Sequence, residues 1–368
     1  MQLEILEKYA SLLIHYCMEL QAGERLLVNT TTLAEPLVSE LYKQCLEAGI
    51  VMDVIFDFDK KQEYFNRFAK AEQAAYISAS YEKAMREFEG FLVIRAPYLQ
   101  GTASLADPEI SAIAANAKRE LNKIYFERTA VRALKRNLCQ FPTQQAANEA
   151  GMTLEAYSDF IISACFLNDP YPGARWLQVR KDQQEITDLM NSCTHFRYKK
   201  NDFEISFNTQ GRKWINSDGQ TNMPSGEIYT SPVEDSVQGN IRFSYPSLYQ
   251  GYVLENVMLQ VKDGYITDWS CDNDIHVLDE VFKIPGTRRF GEAAVGTNYR
   301  IDRMTRNILF DEKIGGTVHM AIGQSYLQCN GKNESTLHWD MITDMTQDGQ
   351  IWADEKLIYE NGRFIGMI

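Results

Sequence analysis

The chain has 368 residues, 45% of them hydrophobic and 24% charged, which favours two domains over one and a composition able to bury a proper core. A net charge of −13, with basic stretches no longer than Lys199-Lys200 or Arg288-Arg289, excludes a nucleic-acid partner, which requires clustered Lys and Arg. Seven cysteines without a Cys-x-x-Cys pair fit neither a disulfide framework nor a thiolate zinc site and suit a reducing compartment.

Residues 3–20 place Leu6, Tyr9, Leu13, Tyr16, Cys17 and Leu20 at helical spacing, an amphipathic opening helix. Glu4, Glu7 and Lys8 interrupt its apolar residues, so it does not read as a signal peptide. No later apolar run approaches the roughly 20 residues needed to span a bilayer, and the expectation is a soluble, cytoplasmic protein. A strand at Leu26-Leu27-Val28 follows the turn at Gly23, then a helix from Glu35 to Glu47 ended by Gly49, then a strand from Val51 to Phe58. Helical stretches at 70–89 and 107–121 alternate with apolar runs at Phe91–Ile94 and Ile124-Tyr125-Phe126, both read as strands. Strands alternating with helices predict an α/β layer with a parallel sheet.

The stretch 143–193 reads as helical with a break at Asp169-Pro170-Tyr171-Pro172-Gly173. We place a domain border near it, giving an α/β domain over 1–190 and a second domain over 191–368. Beyond residue 200 short alternating strands appear, such as Phe203–Phe207 and Tyr252–Val257. Ser217-Asp218-Gly219, Lys262-Asp263-Gly264, Gln347-Asp348-Gly349 and Glu360-Asn361-Gly362 punctuate them and are hairpin signals. The second domain is therefore expected to be α+β and rich in antiparallel strands.

The first domain offers little chemistry. Its strand-then-helix unit carries Asn29-Thr30-Thr31-Thr32 with no glycine, which is neither a dinucleotide fingerprint nor a phosphate loop. Asp53, Asp57 and Asp59 have no histidine nearby and are followed by Lys60-Lys61, so they read as a solvated strand terminus. His15 reads as a structural residue of the opening helix, and His195 and His276 as surface residues.

Four blocks of the second domain are harder to explain. In Asn222-Met223-Pro224-Ser225-Gly226-Glu227, the Pro and Gly fix a tight turn ahead of Glu227, and a rigidly held carboxylate loses little entropy on binding a metal; a surface turn is the plainer reading. Glu292 stands among small and apolar residues in Phe290–Gly296, a costly place for a charge unless it binds a metal or pairs with Arg288 or Arg289. His319 follows Asp311-Glu312-Lys313-Ile314-Gly315-Gly316 among apolar residues, where it is either a hydrogen-bonded core histidine or a metal ligand. His338 and Asp340, two apart in an extended segment, face the same side. Two nitrogens and three carboxylates suit Zn²⁺, Co²⁺ or Mn²⁺. Five ligands exceed the usual complement of one catalytic zinc, and two ions sharing a bridging carboxylate account for the number better.

Together Asn-Met-Pro-Ser-Gly-Glu at 222–227, Phe-Gly-Glu at 290–292, Asp-Glu-Lys-Ile-Gly-Gly-Thr-Val-His at 311–319 and His-Trp-Asp at 338–340 resemble the thermophilic aminopeptidase family of metallopeptidases (the M29 group). The resemblance implies that Glu227, Glu292, His319, His338 and Asp340 bind two divalent metal ions, with Glu292 our choice for the bridge. It implies that Tyr326 is the active-site tyrosine, and that the protein is a homodimer acting on peptides with a free N-terminus. Leu327-Gln328-Cys329-Asn330 departs from the family's Pro-Glu-Thr-Gly stretch, which bears on the loop beside Tyr326 and not on the reaction class. The expected function is a metalloaminopeptidase; the alternatives are another dinuclear hydrolase, such as a dipeptidase or amidohydrolase, or a binding protein that uses metal only to fold.

Overall fold

A computed structural model describes residues 1–99 and 107–366. The chain forms two compact units, one of residues 1–175 with 219–224, the other of residues 176–218 with 225–368. The fold class is the expected one: a parallel sheet with helices in the first unit and antiparallel sheets in the second.

The first unit is built on a five-stranded parallel sheet. Its strands, in spatial order, are Val51–Asp57, Arg25–Thr31, Gly90–Arg95, Lys135–Gln140 and Asn222–Met223. The helix Glu35–Glu47 has the bounds its pattern predicts and buries Leu37, Val38, Leu41 and Cys45. The opening helix runs as an α-helix from Leu3 to Ser11 and continues as a π-helix from Leu12 to Cys17.

One expected strand is a helix. Ile124-Tyr125-Phe126 lies inside the helix Arg119–Ala130, where Leu121, Ile124 and Tyr125 pack against Phe91 and Leu27 while Phe126 stays exposed. Positions i, i+3 and i+4 share one helix face, so three consecutive apolar residues can belong to a helix as readily as to a strand. The strand is the more polar Lys135–Gln140.

The second unit holds an eight-stranded antiparallel sheet, in the order Tyr265–Ser270, Val257–Lys262, Gln238–Phe243, Phe203–Asn208, His195–Lys200, Gln350–Ala353, Lys356–Glu360 and Arg363–Phe364. Two of the four turn signals close hairpins: Asp263-Gly264 and Asn361-Gly362 have positive φ at both residues and join neighbouring strands. That is the two-residue geometry which matches strand twist. Asp218-Gly219 and Asp348-Gly349 instead lie between strands of different sheets. A core of aromatic and aliphatic residues, including Phe196, Tyr198, Phe207, Phe243 and Phe290, fills this unit.

The second unit's other large sheet has five antiparallel strands in the order His338–Asp344, Thr317–Gly323, Phe290–Gly296, Glu227–Thr230 and Ile215–Ser217. All five candidate ligands sit on four of these strands. No helix among the described residues is long and apolar enough to cross a membrane.

Candidate metal centre

Strand register brings the candidates to one face. Asp340 is opposite Ala321, which is opposite Glu292; His319 is opposite Ala294; Glu227 is opposite Gly296. Residues directly opposite share a face, as do residues two apart on a strand. Ala321, Ala294 and Gly296 therefore lie on the same face as the acids and imidazoles, and their small side chains leave room for them. A bulge between Phe290 and Glu292 re-aims the Glu292 strand, a frequent role of bulges at functional sites.

Glu227 starts its strand directly after Gly226, whose φ is +116° and whose added Cβ would come within 2.8 Å of the Asn298 Cβ. Glycine is required there both for the conformation and for the contact. The Asn298 amide also donates to the Ser225 carbonyl at 2.9 Å, which fastens the turn. Glu227 is buried rather than a surface turn residue. Glu292 is buried too and pairs with neither neighbouring arginine: Arg288 stacks over Trp269, and Arg289 donates to the Glu234 carbonyl.

The ligand atoms form two groups, Glu227 with Glu292 and His319, and Glu292 with His338 and Asp340. Within each group they lie within 4.8 Å of one another, and Glu292 belongs to both. His319 Nε2 is 3.5 Å from Glu227 Oε2 and 3.7 Å from Glu292 Oε1. The ring is completely buried, yet neither nitrogen has a hydrogen-bond partner, and neither does Asp340 Oδ1. Buried polar atoms are normally satisfied, and an imidazole aimed at two carboxylates from just beyond hydrogen-bond reach is what a bridging cation would satisfy. The donor set therefore fits divalent metal.

His338 is held from behind. Its Nδ1 donates to the Gln324 carbonyl at 2.7 Å, which presents Nε2 to the cluster, where Glu292 Oε2 is 3.1 Å and Asp340 Oδ1 3.4 Å away. Such an outer hydrogen bond fixes the tautomer of metal-ligating histidines. Tyr326 is half-buried, its ring set edge-on to Tyr229 and its hydroxyl 3.3 Å from His338 Nε2. After it, Leu327–Cys329 form a 3-10 turn, with Leu327 exposed and Gln328 bonded to the Tyr229 hydroxyl. A cleft of about 690 Å³, lined by Gln324, Leu327 and residues 331–336, opens next to this turn.

The charges explain the titration. Burial pulls the His319 pKa down, but Glu292, Glu227 and Asp340 outweigh it and raise it to about 9. Burial likewise opposes charge on His338, and Asp340 and Glu292 lift it to about 12. Burial pushes Asp340 up, yet His338 and His319 bring it down to about 2. Burial, reinforced by the carboxylates, raises Tyr326 well above an ordinary phenol, so its proton stays available for donation.

Sequence reasoning passed over two residues. Lys313 is fully buried, with Nζ 3.6 Å from Glu227 Oε1 and bonded to Glu312. Glu312 is itself mostly buried, and burial raises it to about 8. Inside a run of three charges, both look solvated; the double glycine behind them was the available signal that this run packs closely. Of the six other candidates weighed as structural or surface residues, His15, Asp53, Asp59, His195 and His276 are exposed and Asp57 is half-buried.

The sequence model of the thermophilic metalloprotease family (M29) matches residues 2–364. Aminopeptidase 2 of Geobacillus stearothermophilus is 26% identical over 94% of this chain and 93% of its own. Aminopeptidase PepS of Streptococcus thermophilus is 24% identical over 98% of both. The solved structure of wild-type AmpT from Thermus thermophilus superposes with a TM-score of 0.83 at 20% identity, covering 98% of this chain and 99% of that one.

Proposed function

The chain belongs to the thermophilic metalloprotease family (M29) and is a metal-dependent aminopeptidase, and on that premise we propose that it hydrolyses the N-terminal peptide bond at a centre of two divalent ions. Glu227 and His319 would hold one ion, His338 and Asp340 the other, and Glu292 both. The support is the pair of ligand groups sharing Glu292, together with the unpartnered nitrogens of buried His319. Once bound, zinc, cobalt or manganese would supply Lewis acidity that acidifies water and polarises the scissile carbonyl.

The chain's own groups do the rest. Tyr326 keeps its proton and donates a hydrogen bond to the oxyanion of the tetrahedral intermediate. A carboxylate of the cluster takes the proton from the attacking water and passes it to the leaving amine as the C–N bond breaks. Gln324 holds His338 in the orientation this requires. The cleft beside Leu327 seats the peptide. We assign the chemistry to the domain of residues 191–368, and we place the protein in the cytoplasm as a homodimer.

Metal analysis combined with amino-acid release from matched free and N-acetylated peptides tests this reading. Metal-dependent release from the free peptide alone is expected. Equal cleavage of the acetylated peptide would turn the assignment to an endopeptidase or amidohydrolase, and metal that stabilises the fold without any release would turn it to a binding protein.

A further inference from the structure

Lys313 has no part in the scheme above, though its ammonium is completely buried beside the cluster. Four carboxylates gather there: Glu227 and Glu312 beside the ammonium itself, Glu292 in one ligand group with Glu227, and Asp340 in the other with Glu292. Lys313 is the lysine among them, placed between Glu227 Oε1 and the Glu312 carboxylate. It takes the Glu227 oxygen that does not face His319, since Oε2 is the one 3.5 Å from Nε2.

The contact is built into the backbone. The Lys313 carbonyl accepts from Asn298 N at 3.0 Å, and Gly315 N donates back to the Asn298 carbonyl at 3.0 Å. Asn298 is also the residue whose side chain fastens the turn at Ser225. One residue thus fixes both the loop that carries Lys313 and the turn that carries Glu227.

We propose that Lys313 is the resident counter-cation of the metal centre, a positioning residue whose buried ammonium offsets the carboxylate charge of Glu227 and Glu312 and supports the fold without metal, and in doing so weakens metal binding. The proposal rests on the two-ion reading above. Buried carboxylates left unpaired are costly, and a fixed positive charge relieves that cost before any ion arrives. The same charge repels an incoming divalent cation, because like charges at this range in a poorly screened interior interact strongly. Lys313 and the metal are therefore alternative sources of the same positive charge.

The test compares wild type with Lys313→Met, which keeps the length and removes the charge. Both proteins are stripped with a chelator, titrated with Zn²⁺ alone, and melted with and without Zn²⁺. Wild type is expected to bind Zn²⁺. The variant is expected to bind it about tenfold or more tightly, and to lose more melting temperature metal-free than Zn²⁺-saturated, since the gap between the two states tracks affinity. A variant that folds only with Zn²⁺ gives the same support. Equal losses in both states with unchanged affinity would show a packing role and overturn the proposal, as would weaker binding. Lys313→Gln, which keeps hydrogen-bond donors without the charge, must show the same tightening; failure of both variants to fold even with Zn²⁺ also counts against it. Absence of Zn²⁺ binding by wild type would overturn the metal reading itself.

Discussion

Nε2 of His338 lies 3.1 Å from Oε2 of Glu292, while the opposite ring nitrogen is tied to the Gln324 carbonyl at 2.7 Å. With Nδ1 donating backward, a neutral His338 presents a lone pair to a carboxylate, an unfavourable pairing. A proton or a metal ion must come between them. Asp340 and Glu292 raise the His338 pKa to about 12, which favours the proton in the metal-free protein, so a metal bound there would have to displace it.

Metal binding should therefore release protons and strengthen as the pH rises. His319, with a pKa of about 9, stabilises the metal-free fold fully below its unfolded value near 6.5 and loses that contribution as the pH rises through 9. Glu312, raised to about 8, also binds its proton more tightly when folded and acts with the same sign. From pH 6.5 to 9 the melting temperature of chelator-stripped protein should fall while the increment conferred by Zn²⁺ grows. Calorimetry at pH 6.5, 7.5 and 9 checks both; a constant increment would contradict the displacement of protons.

Glu292 and Glu227 should differ when neutralised. Glu292 belongs to both ligand groups and Glu227 to one, so Glu292→Gln is expected to retain little metal after dialysis and Glu227→Gln about one equivalent, with activity lost in both by roughly 10² or more. Metal analysis of the dialysed proteins decides it. Loss of a single equivalent from each would show that Glu292 is not shared.

Tyr326→Phe removes a hydroxyl without disturbing the ring, which packs edge-on against Tyr229. Turnover should fall about 10²–10³-fold, the usual cost of one oxyanion donor, with metal content and KM little changed. Loss of metal in proportion to loss of rate would reassign Tyr326 to the support of His338, 3.3 Å from its hydroxyl.

Removing metal from wild type should abolish peptide hydrolysis and leave the far-ultraviolet circular dichroism intact. The second unit's core contains Phe196, Tyr198, Phe207, Phe243 and many aliphatic residues independent of the ligands, far more than a domain that folds only on binding its metal possesses. Unfolding upon chelation would show instead that metal serves the fold.

What the sequence conveyed depended on whether burial was visible locally. The strands Arg25–Thr31 and Gly90–Arg95 contain the apolar runs Leu26-Leu27-Val28 and Phe91–Ile94 and were legible. Lys135–Gln140 was not, because its polar residues are satisfied by partners distant in sequence: Lys135 reaches Glu24, and Asn137 donates to the Gly219 carbonyl. The candidate ligands were legible as isolated oddities, an acid or imidazole among small residues. Their convergence depends on strand register, which short-range patterning does not contain. Lys313 shows the converse, a buried charge disguised by the acids next to it in sequence, one of which is its partner in space.

Gly291 supplies a last test, because it matters only if the support behind His338 matters. A Cβ at residue 291 would come within 2.2 Å of the Gln324 carbonyl oxygen, the atom that receives His338 Nδ1–H. Gly291→Ala must push that carbonyl aside, at a cost of about 1–3 kcal/mol for a small group forced into a packed interior. The melting temperature should drop, and Zn²⁺ affinity should fall about 10–100-fold, the range seen when outer hydrogen bonds to ligating histidines are lost. Gln324→Ala changes only the side chain and leaves the carbonyl in place, so it should keep metal affinity. Equal affinity losses in the two variants would mean that the loop as a whole, and not the carbonyl behind His338, supports the site.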